Sequence, residues 1–220
     1  MSAQPLTIAL DSERVSGLLL TPDDARACYV LAHGAGAGMD HPFMAAIAQT
    51  LAARRIATLR YQFPYMEQRS KRPDPPKIAQ AAARAAVAEA AQRLPKLPLF
   101  AGGKSFGGRM TSQAQAESAL PGVRGLVFLG FPLHPAGRPS SERAEHLFTV
   151  RVPMLFLQGT RDALADLSLL RSVIERLGVH TTLELIEDAD HSFRVRGASR
   201  HDDPTPRLAQ AIARWVNEQR

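Results

Sequence analysis

Three residues of this chain have the types that nucleophilic acyl chemistry requires: Ser105, Asp162 and His191. A serine hydroxyl attacks poorly until a base takes its proton and a third group orients that base. Ser105 stands at the centre of Gly103-Lys104-Ser105-Phe106-Gly107, the G-x-S-x-G spacing of a nucleophile elbow. In such an elbow a strand turns so sharply into a helix that the serine is held strained and exposed at the tip. Flanking glycines admit a close approach of helix and strand that a β-carbon would block. Asp162 follows the apolar run Val152 to Gln158 through Gly159-Thr160-Arg161. His191 follows Thr182 to Ile186 through Glu187-Asp188-Ala189-Asp190.

Each residue also has a structural reading. Asp162 could cap the helix after it, and His191 could be a polar loop residue. Asp188 and Asp190 compete for the acid role. Lying three and one residues before His191, they are poorly placed to reach the ring nitrogen that faces away from Ser105. Asp162 is therefore the expected acid, to hold the imidazole in one tautomer and stabilise the imidazolium, with Asp188 in reserve. The tetrahedral oxyanion needs preorganised donors, each worth about 3 kcal/mol of transition-state stabilisation. The N–H of Phe106 is one candidate, and the N–H of Gly34 or Ala35, in Gly34-Ala35-Gly36-Ala37-Gly38, is the other. That glycine-rich run lacks G-x-G-x-x-G spacing, and no G-x-x-x-x-G-K-[ST] occurs, so a nucleotide cradle is the weaker reading.

Alternating strand and helix signals supply the scaffold. Strands are expected at Leu6 to Leu10, Val15 to Leu20, Cys28 to His33, Ile56 to Arg60, Leu97 to Ala101, Gly125 to Gly130, Val152 to Gln158 and Thr182 to Ile186. Helices are expected at Phe43 to Arg54, the alanine-rich Lys77 to Leu94, Arg109 to Glu117, Ala165 to Leu177 and Leu208 to Glu218. Phe63 to Pro76 and Phe131 to Arg143 read as loops. Strands separated by helices imply an α/β architecture, a mostly parallel central sheet with helices on both faces. Chemistry in such sheets gathers at the carboxyl ends of the strands, where Ser105, Asp162 and His191 fall.

At 220 residues the chain is expected to be one domain, 1–220. A net charge of +6 raises the question of nucleic acid. The 23 Arg and 4 Lys are spread among acidic residues with no aromatic-interleaved basic cluster, so no nucleic-acid partner is expected. No apolar run reaches the roughly 18 residues of a spanning helix, so no membrane partner is expected either. Met1 to Pro5 shows no basic stretch leading into an apolar one, and a secretory signal is not expected. The single cysteine, Cys28, fits a reducing cytoplasm. The histidines at 33, 41, 134, 146, 180, 191 and 201 form no metal-binding spacing, and no metal or other cofactor is expected.

Six segments together resemble one known group: Ala32 to Ala37 (AHGAGA), Arg60 to Pro64 (RYQFP), Gly102 to Arg109 (GGKSFGGR), Gly130 to Pro135 (GFPLHP), Leu157 to Asp162 (LQGTRD) and Asp188 to Phe193 (DADHSF). The chain is similar to small bacterial α/β-hydrolases related to dienelactone hydrolases. It also resembles the hydrolase-like domains of the testis-expressed protein and the NSL complex subunit. The resemblance covers roughly residues 6 to 218. It implies the α/β-hydrolase fold, with Ser105, Asp162 and His191, in that chain order, as the triad. Dienelactone hydrolases carry cysteine where Ser105 stands, so their substrate does not transfer. The eukaryotic relatives belong to protein assemblies, so function must come from the site.

Gly130 to Val152 leaves only some twenty residues before the acid-bearing strand, too few for a cap domain. An open site is expected, roofed by the loops Phe63 to Pro76 and Phe131 to Arg143. Tyr61, Phe63, Tyr65, Met66 and Phe106 are candidates for an apolar substrate wall, with core packing as the rival. His134 is a candidate pocket residue, with a surface histidine as the rival, and Lys104 a candidate contact for an anionic substrate, with solvated surface charge as the rival. The expected function is a serine hydrolase that cleaves a small ester or thioester through an acyl-enzyme. The alternatives are a non-catalytic binding or scaffold protein and, more weakly, an acyltransferase. The expected partner is a small-molecule acyl substrate; the oligomeric state is not legible.

Overall fold

Apolar runs of five to seven residues, too short for buried helices, become the strands of one sheet. A computed structural model of the chain describes residues 1–11, 13–195 and 203–219. Strands β1 (Gln4–Ala9) and β2 (Arg14–Leu20) form an antiparallel hairpin at one edge, and β2 pairs antiparallel with β4 (Ile56–Tyr61). From β4 onward every pairing is parallel. It continues through β3 (Ala27–Ala32), β5 (Leu99–Lys104), β6 (Val123–Leu129), β7 (Met154–Gly159) and β8 (Thr181–Ile186). The spatial order is β1-β2-β4-β3-β5-β6-β7-β8. The connections reverse direction between β3 and β5, which opens a crevice beyond the carboxyl ends of those two strands.

Helices cover both faces, and the alternation along β3 shows how. Cys28, Val30 and Ala32 point into the core beneath α3 (Pro76–Arg93), α4 (Phe106–Glu117) and α5 (Leu167–Leu177). Ala27, Tyr29 and Leu31 point the other way, against α1 (Pro42–Ala52) and α6 (Thr205–Glu218). All six residues of β3 are buried, as the central strand of a sheet covered on both faces must be. Alanine at five of the six buried positions of α3 lets that helix lie close to the sheet. Among the described residues, no helix is long and apolar enough to cross a membrane.

Three elements differ from the sequence expectation. Phe63 to Pro76 is not wholly loop, because Pro64–Glu67 forms the one-turn helix α2, too short to show periodicity. A 3₁₀ helix, Glu142–Thr149, follows the second irregular stretch. Strand β5 runs on through Gly102, Gly103 and Lys104 rather than ending at Ala101. Glycine is a poor strand former in isolation, but here packing selects it. A β-carbon on Gly102 would sit 2.0 Å from the Val127 carbonyl oxygen of β6, and one on Gly103 2.2 Å from that of Ala32 in β3. The connection between β6 and β7 holds only the 3₁₀ helix, and no cap domain interrupts the sheet.

Two histidines, His33 buried and His146 half-buried, tie these layers together. His146 Nε2 lies 2.8 Å from Ser112 Oγ, joining the 3₁₀ helix to α4. His33 Nε2 accepts the Phe63 N–H at 3.0 Å, and its Nδ1 donates to the Gly34 carbonyl at 2.8 Å. Burial pushes both imidazoles down to about 4, with the Arg109 charge also acting on His146. Below pH 6.5 the unfolded chain takes up protons that the folded chain refuses. Stability therefore falls as pH drops from about 6.5 to 4, by up to about 3 kcal/mol for each group. Urea midpoints measured between pH 7.5 and 4.5 should show this decline. His146→Gln should flatten it by about half; an unchanged slope would mean His146 is not held neutral.

Candidate active site

Strand β5 ends at Lys104 and α4 begins at Phe106, so Ser105 alone makes the turn between them. Its backbone sits at φ 49°, ψ −115°, a conformation that L-residues adopt only under constraint. Two hydrogen bonds impose it: Ser105 N–H to the Leu129 carbonyl and Arg109 N–H to the Ser105 carbonyl, each 3.1 Å. Helix α4 then lies so close to β3 that a β-carbon on Gly107 would be 2.4 Å from the His33 carbonyl oxygen. The strained serine follows from this crowding.

His191, in the loop after β8, reaches back to the elbow, with Nε2 2.8 Å from Ser105 Oγ. Its Nδ1 is 2.7 Å from Asp162 Oδ2 in the loop after β7, and the Asp162 side chain is wholly buried. The Leu164 N–H donates to Oδ1 at 2.8 Å, and Gln158 Nε2 donates to Oδ2 at 2.5 Å. The Gln158 amide orientation is set by its other end, where Oε1 accepts the Phe131 N–H at 2.9 Å. Three donors converging on one carboxylate complement its anionic form. A carboxylate at Nδ1 places the ring proton there and leaves the Nε2 lone pair toward the serine hydroxyl.

The competing acidic residues have other work. Asp190 Oδ1 accepts the N–H groups of Ser192 and Arg194, which shapes the loop that carries His191. Asp188 is exposed at φ 55°, and its N–H donates to Thr160 Oγ1. The cap of α5 is Asp166, whose carboxylate accepts from Ser168 and Leu169 N–H. Asp162 is thus left free of the capping role.

The Phe106 N–H belongs to the first turn of α4, where no carbonyl four residues earlier in the helix can accept it. Beside it runs the loop after β3, where a β-carbon on Gly34 would lie 3.8 Å from Ser105 Cβ. The carbonyls of that loop are engaged elsewhere. Gly34 oxygen accepts from His33 Nδ1, and Ala35 oxygen from the Tyr65 hydroxyl at 2.9 Å. In a planar trans peptide, N–H and C=O point in opposite directions. The His33-bound Gly34 carbonyl therefore turns the Ala35 N–H away from His33. His33, Tyr65 and Gln158 support the site in ways no spacing in the sequence signals, since each acts as a buried hydrogen-bond partner at a strand end or turn.

The expected substrate wall needs correction. Tyr61 and Phe63 are 1 % and 0 % exposed and pack edge to face at 5.2 Å inside the core. Tyr65, Met66 and Phe106 pack with them. His134 is also buried, its Nε2 accepting the Asp166 N–H at 2.7 Å and its Nδ1 donating to the Pro135 carbonyl. Both ring nitrogens are occupied, so His134 is a tether between loops and faces no substrate. The cavity over Ser105 has a volume of about 1210 Å³. Its described lining comes from residues 34–37, His41 and the start of α1 (Pro42, Phe43 and Met44), Leu164, residues 191–195, and Asp203 with Pro204. Lys104 lines it too, but neither expected roof loop does. Phe43 stacks on Phe193 at 6.1 Å along this wall. Among the described residues, which exclude His201, no group of three or more His, Cys, Asp or Glu could hold a metal ion.

The sequence profile of the alpha/beta hydrolase domain family matches residues 25–217. Solved structures with the same fold include a dienelactone hydrolase from Anabaena variabilis, at a TM-score of 0.79 and 21% identity over 100% of this chain and 99% of that one. XC6422 from Xanthomonas campestris, a serine hydrolase without a lid, superposes at a TM-score of 0.75 with 20% identity, over 99% of this chain and 95% of that one. An esterase domain from a Rhodothermus marinus protein does so at 0.75 with 18% identity, over 99% of each chain.

The elbow's packing has a measurable cost. Gly107→Ala should destabilise the fold by about 1–3 kcal/mol through overpacking against β3. Gly36→Ala, where a β-carbon would meet nothing within 4 Å, should stay within about 0.5 kcal/mol of the parent. Denaturant unfolding of both variants checks this, and equal midpoints would remove the close approach as the constraint.

Proposed function

Because the chain belongs to the alpha/beta hydrolase family, we propose that it is a serine hydrolase that cleaves a small ester or thioester through an acyl-enzyme. The observation that carries this reading is the unbroken line of short contacts from Ser105 Oγ through His191 to Asp162. In this reading Ser105 Oγ attacks the acyl carbonyl while His191 Nε2 takes its proton. The imidazolium that forms is stabilised by Asp162, itself held by Gln158 and the Leu164 N–H. The oxyanion accepts from the N–H groups of Phe106 and of Ala35 or Gly34. Collapse expels the alkoxide or thiolate, which leaves with the proton from His191. Water then enters by the same route in reverse, with His191 again as base, and frees the acid and Ser105.

The lack of a cap domain favours compact or solvent-accessible acyl groups over long lipid chains. Ala35, Phe43, Met44 and Leu164 offer apolar surface beside the nucleophile. Among the described residues, no subsite for an extended peptide is evident along this wall, which favours ester over amide.

Exposure to a fluorophosphonate, followed by intact-mass measurement, should give one adduct on the parent protein and none on Ser105→Ala. Against a panel of short acyl esters and thioesters, Ser105→Ala should lose about a millionfold in kcat. Asp162→Asn should lose about 10⁴-fold by favouring the wrong tautomer. Equal turnover by parent and Ser105→Ala would overturn the assignment. A folded protein that takes up no adduct and turns over no ester would point to a binding protein on a hydrolase fold.

A further inference from the structure

Lys104 is the elbow residue whose side chain the acyl-transfer steps leave unused. It closes β5 immediately before Ser105 and lines the cavity, and its ammonium turns toward the loop that carries the base. Nζ donates to the backbone carbonyl of His191 and lies 5.2 Å from the centre of the Phe193 ring, within reach of a cation–π attraction. Space for it depends on Gly130. A β-carbon there would come within 3.0 Å of Nζ and 3.5 Å of His191 Cε1 and Nδ1.

The loop carrying His191 is tied internally. Asp190 accepts from Ser192 and Arg194, Asp190 N–H donates to the Arg194 carbonyl, and Phe193 N–H donates to the Asp190 carbonyl. Those bonds fix the loop's shape. Arg161 N–H donates to the Ala189 carbonyl at 2.9 Å, which ties the loop to the end of β7, and the His191 main chain is joined to the elbow strand through Lys104. Burial brings the Lys104 ammonium down to about 8, while the Asp162 and Asp190 carboxylates favour its charged form. Amine and ammonium both donate to a carbonyl, so the link survives that titration.

We propose that Lys104 is a positioning residue, which pins the His191 main chain and thereby sets the imidazole's distance from Ser105, rather than a contact for substrate. The proposal rests on the serine-hydrolase reading. Its logic is economy of geometry: nucleophile and pin are adjacent residues of one strand end, so any shift of the elbow carries the base with it.

The test compares Lys104→Met with the parent on paired neutral and anionic short esters. Displacement of the base by about 1 Å should lower kcat roughly 10- to 100-fold, with KM for both esters within about threefold. Rescue uses Lys104→Cys alkylated with 2-bromoethylamine, in which the thiolate displaces bromide and restores an ammonium at nearly the same reach. Cys28 is fully buried and does not compete. The alkylated protein should recover most of the lost kcat, and the unalkylated one should not. Proton NMR gives a readout that needs no turnover: the low-field Nδ1–H line of the His191–Asp162 bond should broaden or vanish in Lys104→Met and return on alkylation. A rise in KM confined to the anionic ester, with kcat unchanged, would overturn the proposal in favour of substrate contact. An unchanged NMR line with unchanged kcat would overturn it outright. If the parent itself turns over no ester, the hydrolase reading fails, while the NMR line still decides whether Lys104 pins His191.

Discussion

The site rests on one steric constraint, the crowding of strand β5 and helix α4 against β3 and β6. Backbone atoms of Val127, Ala32 and His33 occupy the space that side chains of Gly102, Gly103 and Gly107 would need. A strand in that slot has no room to curve gently into its helix, so the direction change falls on one residue, Ser105. Strain at Ser105 is therefore a property of the sheet's packing, maintained by the burial of the core on both faces. A backbone conformation that costs a few kcal/mol in isolation is affordable where the elements on either side cannot move.

Around that point the polar groups form a network that leaves few of its hydrogen-bonding atoms to chance. Gln158 spans from the Phe131 N–H to Asp162, Asp162 reaches His191, and His191 reaches Ser105. On the other side, His33 and Tyr65 hold the Gly34 and Ala35 carbonyls. Buried polar groups are costly when unpaired, so each member restricts the rotamers of the next. The network also joins the loops after β3, β4, β6, β7 and β8, which parallel pairing gathers at one edge of the sheet.

The positions of Ser105, Asp162 and His191 were legible because each follows an apolar run at a distance that a strand and turn explain. The architecture was legible for the same reason, from the alternation of strand and helix signals. Tyr61, Phe63 and His134 were misread because spacing does not reveal which way a residue near a strand end faces. Tyr61 and Phe63 turn into the core, and His134 is consumed by two backbone partners. Gln158 could not be singled out, since one buried amide four residues before an aspartate leaves no periodic trace. The true end of β5 was missed because glycine's weak strand propensity outweighed, in the local reading, contacts made by residues more than twenty positions away.

The three residues that meet at the crevice come from the ends of β5, β7 and β8, and His191 is supplied by the outermost parallel strand. During synthesis the serine leaves the ribosome about 86 residues before the histidine that contacts it. A nascent or stalled chain that ends between the two carries the elbow sequence without the imidazole that contacts Ser105 in the finished fold. On the proposed hydrolase reading, acyl transfer therefore requires the chain to extend as far as His191.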